Sequence, residues 1–310
     1  MVRLALIGCD TTSDYVAVLP RVRNAEIVAT VDDDGDKARW AAETLGAQSL
    51  ASIDKALASD LIDATLVHAR DGVSVARQAA NAGKHVFLAG IQGSTVAQVD
   101  EVIGACESAG VKFMVGLSTR YHPSQQTVKK AITSGDLGEL GLVRIHHWEA
   151  GTNGANAIEQ VTPDIDVANW LFKALPSEVY ATGGSDDYLQ VHLGFPNGGM
   201  ALIDYASSLP DGGGYFSLSV IGSTGAATAD DHHNVNLIYR GGKPLAVTGG
   251  QGISHVRTQL QEFVDAIGEQ RSPATSGMDG RNALLVADAA EKSVALGRSF
   301  KLEGGAYELA

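Results

Sequence analysis

Short apolar runs and helix-period segments alternate through the first third of the chain. Leu4–Ile7 reads as a buried strand, followed by a polar turn from Gly8 to Asp14 and a short helix that ends at Pro20. Glu26–Val31 is a second strand, stopped by Asp32-Asp33-Asp34, and Lys37–Leu45 is helical. Ile62–Val67, His85–Leu88 and Lys112–Val115 read as further strands. Between them lie the helices Val73–Ala82, closed by Gly83, and Val96–Ala109, closed by Gly110. Strand-helix repetition with continuously apolar strands predicts a parallel sheet covered on both faces.

Right-handed crossovers make this a doubly wound, Rossmann-type α/β domain. After Arg120-Tyr121-His122-Pro123 the pattern changes. Ser124–Ser134 is helical and ends at Gly135, Leu142–Trp148 is strand-like, Gly151–Asn156 is a loop, and Ile165–Phe172 is helical. Gln190–Phe195, Met200–Tyr205 and Tyr215–Ile221 alternate as strands, and Pro196-Asn197-Gly198-Gly199 between the first two is a hairpin signal. Thr258–Ile267 and Gly280–Leu296 are helical. The expectation is a domain over residues 1–121 and an α+β domain with a mainly antiparallel open sheet over 122–310. The C-terminal helices are candidates to pack back on the first domain.

Charge and cysteine usage narrow the function. A formal net charge of −13 over 310 residues opposes binding to nucleic acid or anionic membrane, but not a small ligand that feels local charge. Two cysteines, Cys9 and Cys106, exclude a disulfide-stapled scaffold. The N-terminus lacks the long apolar core of a secretory signal, and no apolar run approaches the ~20 residues of a membrane span. A cytoplasmic protein is expected.

Several segments in order carry a family resemblance: Ala82-Gly83-Lys84-His85-Val86, Gly110 through Gly116 with Arg120-Tyr121-His122-Pro123, Ser134-Gly135-Asp136-Leu137-Gly138 with Val143-Arg144, and Glu262 to Ile267 followed by Gly280. Together they resemble the glucose-fructose oxidoreductase/inositol dehydrogenase (Gfo/Idh/MocA) family over nearly the whole chain. The resemblance implies NAD(P)-dependent redox chemistry on a sugar, polyol or related small molecule, in homo-oligomers that are dimers or tetramers.

A dinucleotide loop normally reads G-x-G-x-x-G, for a tight turn, close approach of the pyrophosphate and close helix packing. Here it reads Gly8-Cys9-Asp10-Thr11-Thr12-Ser13, with only the first glycine kept. Asp10 brings a carboxylate toward phosphates, and two unit charges ~4 Å apart repel by about 1 kcal/mol even in water. Thr11 and Thr12 offer hydroxyl donors; alternatively, Asp10 or Thr12 caps the following helix. Asp32 ends the second strand, where an acid accepts from adenosine ribose hydroxyls and favours NAD over NADP. The alternative is a solvated turn of three aspartates. His68 follows the third strand, where the family contacts cofactor.

The resemblance also implies a lysine after the fourth strand and an Asp and a His four residues apart on a helix. Gly90 stands at the lysine position, Glu159 at the acid and Pro163 at the histidine. Glycine and proline transfer no proton, and Pro163 suits a helix start better than an interior. Little chain separates Trp148 from Asp164, which predicts a trimmed substrate loop. His146 and His147 end a strand, so one of them points inward; with Glu149 they are an alternative base or metal pair. His232-His233 beside Asp230-Asp231 reads as metal-type chemistry or a solvated loop. Arg120 and Tyr121 are candidates for a ligand cleft or a structural latch. The residues taken forward are Glu159, Arg120, Tyr121 and His147 for chemistry and Gly8, Asp10, Thr11, Thr12, Asp32 and His68 for NAD(H), with no metal. Three functions stay open: a divergent oxidoreductase, a non-catalytic relative that senses a ligand or serves a partner, and a non-redox lyase or hydrolase.

Overall fold

The computed structural model describes residues 1–150, 156–185, 187–209, 214–230, 235–239, 245–248 and 253–310. Two compact units contain them: residues 1–118 with 252–281, and residues 119–251 with 282–310.

In the first unit, β1 (Val2–Ile7), β2 (Ala25–Val31), β3 (Gln48–Ser49), β4 (Ala64–Val67), β5 (His85–Leu88) and β6 (Phe113–Val115) pair in parallel. Their order is β3-β2-β1-β4-β5-β6, so the winding reverses between β1 and β4. Ligand crevices of open α/β sheets lie at that point. Leu4, Ala5, Leu6 and Ile7 are all buried, as a strand covered on both faces requires. The connecting helices are α1 (Asp14–Val18), α2 (Gly35–Leu45), α3 (Ile53–Leu57), α4 (Gly72–Asn81) and α5 (Val96–Ala109). Thr95 and Gln98 close a reciprocal capping box at the start of α5, and Gly110 ends it in the left-handed region. The short β3 and α3 escape prediction because two and five residues carry no readable period.

The second unit contains α6 (Pro123–Thr133), β7 (Leu140–Ala150) and α7 (Ala157–Phe172). After these come β8 (Glu178–Ser185), β9 (Tyr188–Gly194), β10 (Met200–Leu209), β11 (Tyr215–Gly222), β12 (Ala226–Asp230), β13 (Val235–Tyr239) and β14 (Leu245–Thr248). The chain closes with α8 (Ser254–Gly268) of the first unit, α9 (Gly277–Leu296), β15 (Phe300–Glu303) and β16 (Ala306–Leu309). The sheet order is β14-β13-β12-β11-β7-β10-β9-β8-β15-β16. Only β7 and β10 run parallel among the paired strands described; the sheet is therefore mixed but mainly antiparallel. The predicted hairpin forms between β9 and β10, with Gly198 at φ +81°. One face packs Val143, Ile145, Val191, Ile203, Leu218 and Val220 against Val161, Ile165, Ala168 and Leu171 of α7.

Pro163 corrects one expectation. It lies inside α7, not at its start. The helix starts earlier because Asn156 caps it, accepting from the Ile158 amide at 3.0 Å. Proline has no amide hydrogen, so the Glu159 carbonyl loses its helical donor. Burial of Val161, Ile165, Ala168 and Leu171 holds the helix through this gap, and the Thr162 hydroxyl donates to the Ile158 carbonyl at 2.8 Å.

Arg120 and Asp166 form a buried two-point ion pair within this unit. Arg120 Nε donates to Asp166 Oδ2 at 2.6 Å and a terminal nitrogen donates to Oδ1. Their side chains are 6% and 1% exposed. Removing one partner of such a pair leaves the other charge buried without its counter-charge and costs about 3–5 kcal/mol. Arg120→Leu should therefore lower the urea midpoint strongly, and the double replacement Arg120→Leu/Asp166→Leu should recover much of that loss.

Candidate functional site

The C-terminal edge of the first unit's sheet gathers most of the predicted ligand residues. Gly8 follows β1 with φ +89°, and its amide donates to the Val31 carbonyl at 2.8 Å. A Cβ on Gly8 would lie 2.1 Å from the His68 carbonyl oxygen, so no other residue fits this turn. Asp32 ties the next step of the loop to β2. Its Oδ2 accepts from the Cys9 amide at 2.6 Å, and its Oδ1 accepts from the Asp34 amide at 2.8 Å. Each carboxylate oxygen keeps a second lone pair for a ligand.

Asp10 is folded onto its own loop. Its Oδ1 accepts from the Thr12 amide at 2.9 Å and the Thr12 hydroxyl at 2.8 Å, and these bonds hold its carboxyl below the usual range. The carboxylate thus occupies donors that an incoming anion would need. Neither Asp10 nor Thr12 caps α1. Ser13 does, accepting from the Tyr15 amide at 3.3 Å, because Asp10 is already closed on Thr12. Thr11 and Thr12 are exposed.

His68 leaves β4 with its amide donating to the Ile7 carbonyl at 2.7 Å. Burial lowers its pKa, and the nearby Asp10 carboxylate offsets part of that. The edge of Tyr15 packs on the imidazole, with ring centroids 5.4 Å apart. The Tyr15 hydroxyl points at the Ala89 carbonyl at 3.4 Å, bringing the loops after β4 and β5 together. A cavity of about 350 Å³ lies between them, lined by His68, Arg70, Gly72, Gly90, Gln92 and Ser94 among others.

In the second unit, His146 and His147 point to opposite faces of β7, as strand alternation predicts. His146 Nδ1 pairs with Asp204, 2.7 Å from its Oδ1, and Trp148 Nε1 donates to Asp204 Oδ2 at 3.1 Å. His147 sits between two carboxylates, with Nδ1 2.7 Å from Asp164 Oδ2 and Nε2 3.0 Å from Glu149 Oε1. Burial alone would lower its pKa, but the hydrogen bonds it donates to Asp164 and then Glu149 overcome this and push it up to about 10. Burial raises Asp164, and His147 draws it back; His147 holds Glu149 below its usual range. His147 is therefore an imidazolium at neutral pH, placed to hold a proton rather than accept one.

Glu159 lies in the first turn of α7, half-buried. Tyr121 is buried in the turn Ser118–Tyr121, and Arg120 is held by Asp166. Sequence reading missed Asp164 as the partner of His147 and Tyr15 as the bridge between loops. Asp164 was accessible, since a helical acid next to Pro163 faces the strand histidines once the helix is extended; Tyr15 gave no signal. Among the described residues no group of three side chains is arranged to hold a metal ion. Residues 151–155 and the His232-His233 pair with Asp231 lie outside the described residues.

A family described as "Oxidoreductase family, NAD-binding Rossmann fold" matches residues 2–117, and its companion "Oxidoreductase family, C-terminal alpha/beta domain" matches residues 129–302. Myo-inositol 2-dehydrogenase of Thermotoga maritima is 26% identical, covering 97% of this chain and 98% of its own. Inositol 2-dehydrogenase of Rhizobium meliloti is 27% identical, covering 97% and 99%. Among solved structures, a putative myo-inositol dehydrogenase from Sinorhizobium meliloti superposes with TM-score 0.84 at 25% identity, covering 98% of this chain and 100% of its own. A levoglucosan dehydrogenase complexed with NADH and L-sorbose has the same fold, with TM-score 0.88 at 17% identity and coverage of 97% and 99%.

The His147 cluster makes stability depend on pH with a definite sign. Its folded pKa, about 10, lies above the ordinary 6.5. The stabilisation is therefore complete below the ordinary value and is lost as pH rises toward the folded one. The wild-type urea midpoint should fall between pH 6.5 and pH 10, and His147→Gln should flatten that fall.

Proposed function

Because the chain belongs to the oxidoreductase family with an NAD-binding Rossmann fold and a C-terminal alpha/beta domain, we propose that it is an NAD(H)-linked oxidoreductase of a sugar- or polyol-like small molecule. The observation that carries this reading is the β1–β2 edge, where the Gly8 turn, closed to any side chain, lies beside the Asp32 carboxylate. These residues fit a dinucleotide. Gly8 makes the tight turn after β1, Thr11 offers its hydroxyl, Asp32 accepts from ribose hydroxyls, and His68 lines the cavity beyond. A bound nicotinamide would supply or take up the hydride. Asp32 would repel a 2′-phosphate, favouring NAD over NADP.

Gly90 and Pro163 stand where the family resemblance places a lysine and a histidine, so proton handling falls to other groups. His147 holds a proton between two carboxylates, and Glu159 is a carboxylate in the first turn of α7. Arg120 is paired with Asp166, and Tyr121 is buried beside it in sequence. A second reading, a non-catalytic relative that binds such a ligand, is favoured by Gly90 itself, which puts no proton-transferring side chain where the family resemblance places a lysine. The third reading, a lyase or hydrolase using Glu159 or the His146/His147 pair, is weakened on its histidine side because His147 lies between Asp164 and Glu149 and His146 pairs with Asp204.

A net charge of −13 opposes nucleic-acid binding, and no described helix is long and apolar enough to cross a membrane. Exposed Met200, Ile221 and Tyr180 lie on the sheet face turned away from α7, a surface suited to a homo-oligomer in the cytoplasm. Sedimentation should give a dimer or tetramer, and Met200→Glu/Ile221→Glu should dissociate it; a wild-type monomer refutes this arrangement.

Nicotinamide absorbance with a panel of polyols and sugars separates the two main readings. Reduction of NAD⁺ supports the oxidoreductase; retained NADH binding without turnover on any member supports the non-catalytic relative. Removing the resident carboxylate by Asp10→Gly should strengthen NADH binding about tenfold, since close charge repulsion in a partly desolvated site exceeds its ~1 kcal/mol value in water. Calorimetry reads this directly, with NADPH weaker than NADH in both proteins.

A further inference from the structure

The seam between α6 and α7 in the second unit holds buried polar atoms that the chain itself leaves unmet. Gln125 is 1% exposed. Its Oε1, and both Oδ1 and Nδ2 of Asn169, are shut off from solvent and have no hydrogen-bond partner among the described residues. Buried polar atoms in folded proteins are bonded in the large majority of cases, so three orphans on two neighbouring helices call for a partner that the chain does not supply.

Both amides belong to the same stretch of the seam. Lys129 of α6 donates to the Trp170 carbonyl of α7, and its Nζ lies 4.8 Å from the centre of the Trp170 ring. Arg120, in the turn before α6, bonds to Asp166 and lies 5.8 Å from the centre of the same ring. Gln125 is four residues before Lys129 and Asn169 is three after Asp166, so each sits one helical turn along the face that its neighbour uses for these contacts. Along α6, Gln125 falls between Arg120 and Lys129; along α7, Asn169 falls between Asp166 and Trp170. The two crossing contacts therefore bracket the two amides. Beneath them runs β11, because α6 lies against β12 and β13, α7 lies against β7 and β10, and β11 separates β12 from β7 in the sheet. The inward side chains of β11 there, Leu218 and Val220, are buried and apolar, so the floor of the seam offers the amides no side-chain partner. Burial, ahead of repulsion from Lys173 and Arg120, pulls the Lys129 amine down to about 8, in keeping with a seam poor in bulk water.

The unmet atoms select their ligand. Two are carbonyl oxygens, which accept, and one is an amide nitrogen, which donates. Water donates twice and also accepts, and a buried water typically makes about three bonds to such groups. An anion would meet two oxygens. A cation would meet the Asn169 amide hydrogens and the charges of Arg120 and Lys129. An apolar molecule would leave all three atoms unmet, each at the cost of its desolvation.

We propose that α6 and α7 enclose a structural water that donates to Gln125 Oε1 and Asn169 Oδ1 and accepts from Asn169 Nδ2. The water continues the polar layer that the Arg120–Asp166 pair begins, and it ties the two helices by a bridge rather than by direct packing. The site needs neither cofactor nor substrate, so it stands or falls separately from the oxidoreductase reading.

NMR of the wild-type protein reads the water directly, and urea unfolding of Gln125→Leu, Asn169→Leu and the double variant reads the bridge. The expected spectrum shows the Asn169 side-chain amide protons in contact with water, with the sign of a bound molecule rather than of proton exchange. Oxygen-17 relaxation dispersion should count one long-lived water fewer in the double variant than in the wild type. Each single variant leaves the other amide unmet and should lower the urea midpoint. The double variant should lose less than the two singles combined, because no unmet amide remains. Absence of the Asn169–water contact, or equal numbers of long-lived waters in wild type and double variant, overturns the water site. Strictly additive losses put the two amides in separate sites and overturn the bridge. If the double variant does not fold, the wild-type contact decides alone.

Discussion

The close backbone crossing at Gly8 governs the working edge of the N-terminal unit. No Cβ is tolerated there, because the His68 carbonyl oxygen already occupies the space. That crossing brings the turn after β1 against the end of β4, while the Gly8 amide holds it to β2 through Val31. Three strands are thereby locked at the point where the winding of the sheet reverses. Asp32 is positioned by the same turn, since its carboxylate accepts from the Cys9 amide next in sequence. Placement of His68, Asp32 and the Asp10 loop thus follows from one glycine.

In the second unit, charge does the corresponding work around α7. Asp164 and Asp166 are two residues apart, so on a helix they project to different sides. One side meets His147 of β7, and the other meets Arg120 of the preceding turn. Pro163 interrupts the helical ladder beside both of them. A helix weakened in this way is held by apolar burial and by two anchored carboxylates rather than by its own hydrogen bonds. The same arrangement keeps Arg120 and His147 in structural pairs, whatever further task either performs.

The fold was legible in the sequence because its period signals are strong. Val96–Ala109 and His85–Leu88 come out with the predicted bounds, one through a capping box and a left-handed glycine, the other through a continuous apolar run. The hairpin at Asn197-Gly198 is equally local. Pro163 was misplaced because proline's preference for a first turn is a local rule, and burial of the flanking apolar residues overrode it. The site was legible only in part. Asp32 and Gly8 announce themselves by position, whereas the closure of Asp10 on Thr12 depends on side-chain geometry that spacing does not encode.

The environments of two histidines divide the remaining proton chemistry. His147 is buried with two carboxylates, and their hydrogen bonds outweigh the desolvation of its charge, so the proton stays on. His68 is also partly buried, but no carboxylate bonds to it, and desolvation prevails. The same side chain is thus a fixed cation in one unit and a neutral donor-acceptor in the other. A cation between two carboxylates attracts no further anion and has no lone pair to offer, so its contribution to a ligand is the field of the cluster as a whole. A neutral imidazole beside a cavity retains both of its hydrogen-bonding functions. The histidine that two carboxylates make most conspicuous is therefore the one with no free lone pair, and the histidine without a charged partner is the one that keeps it.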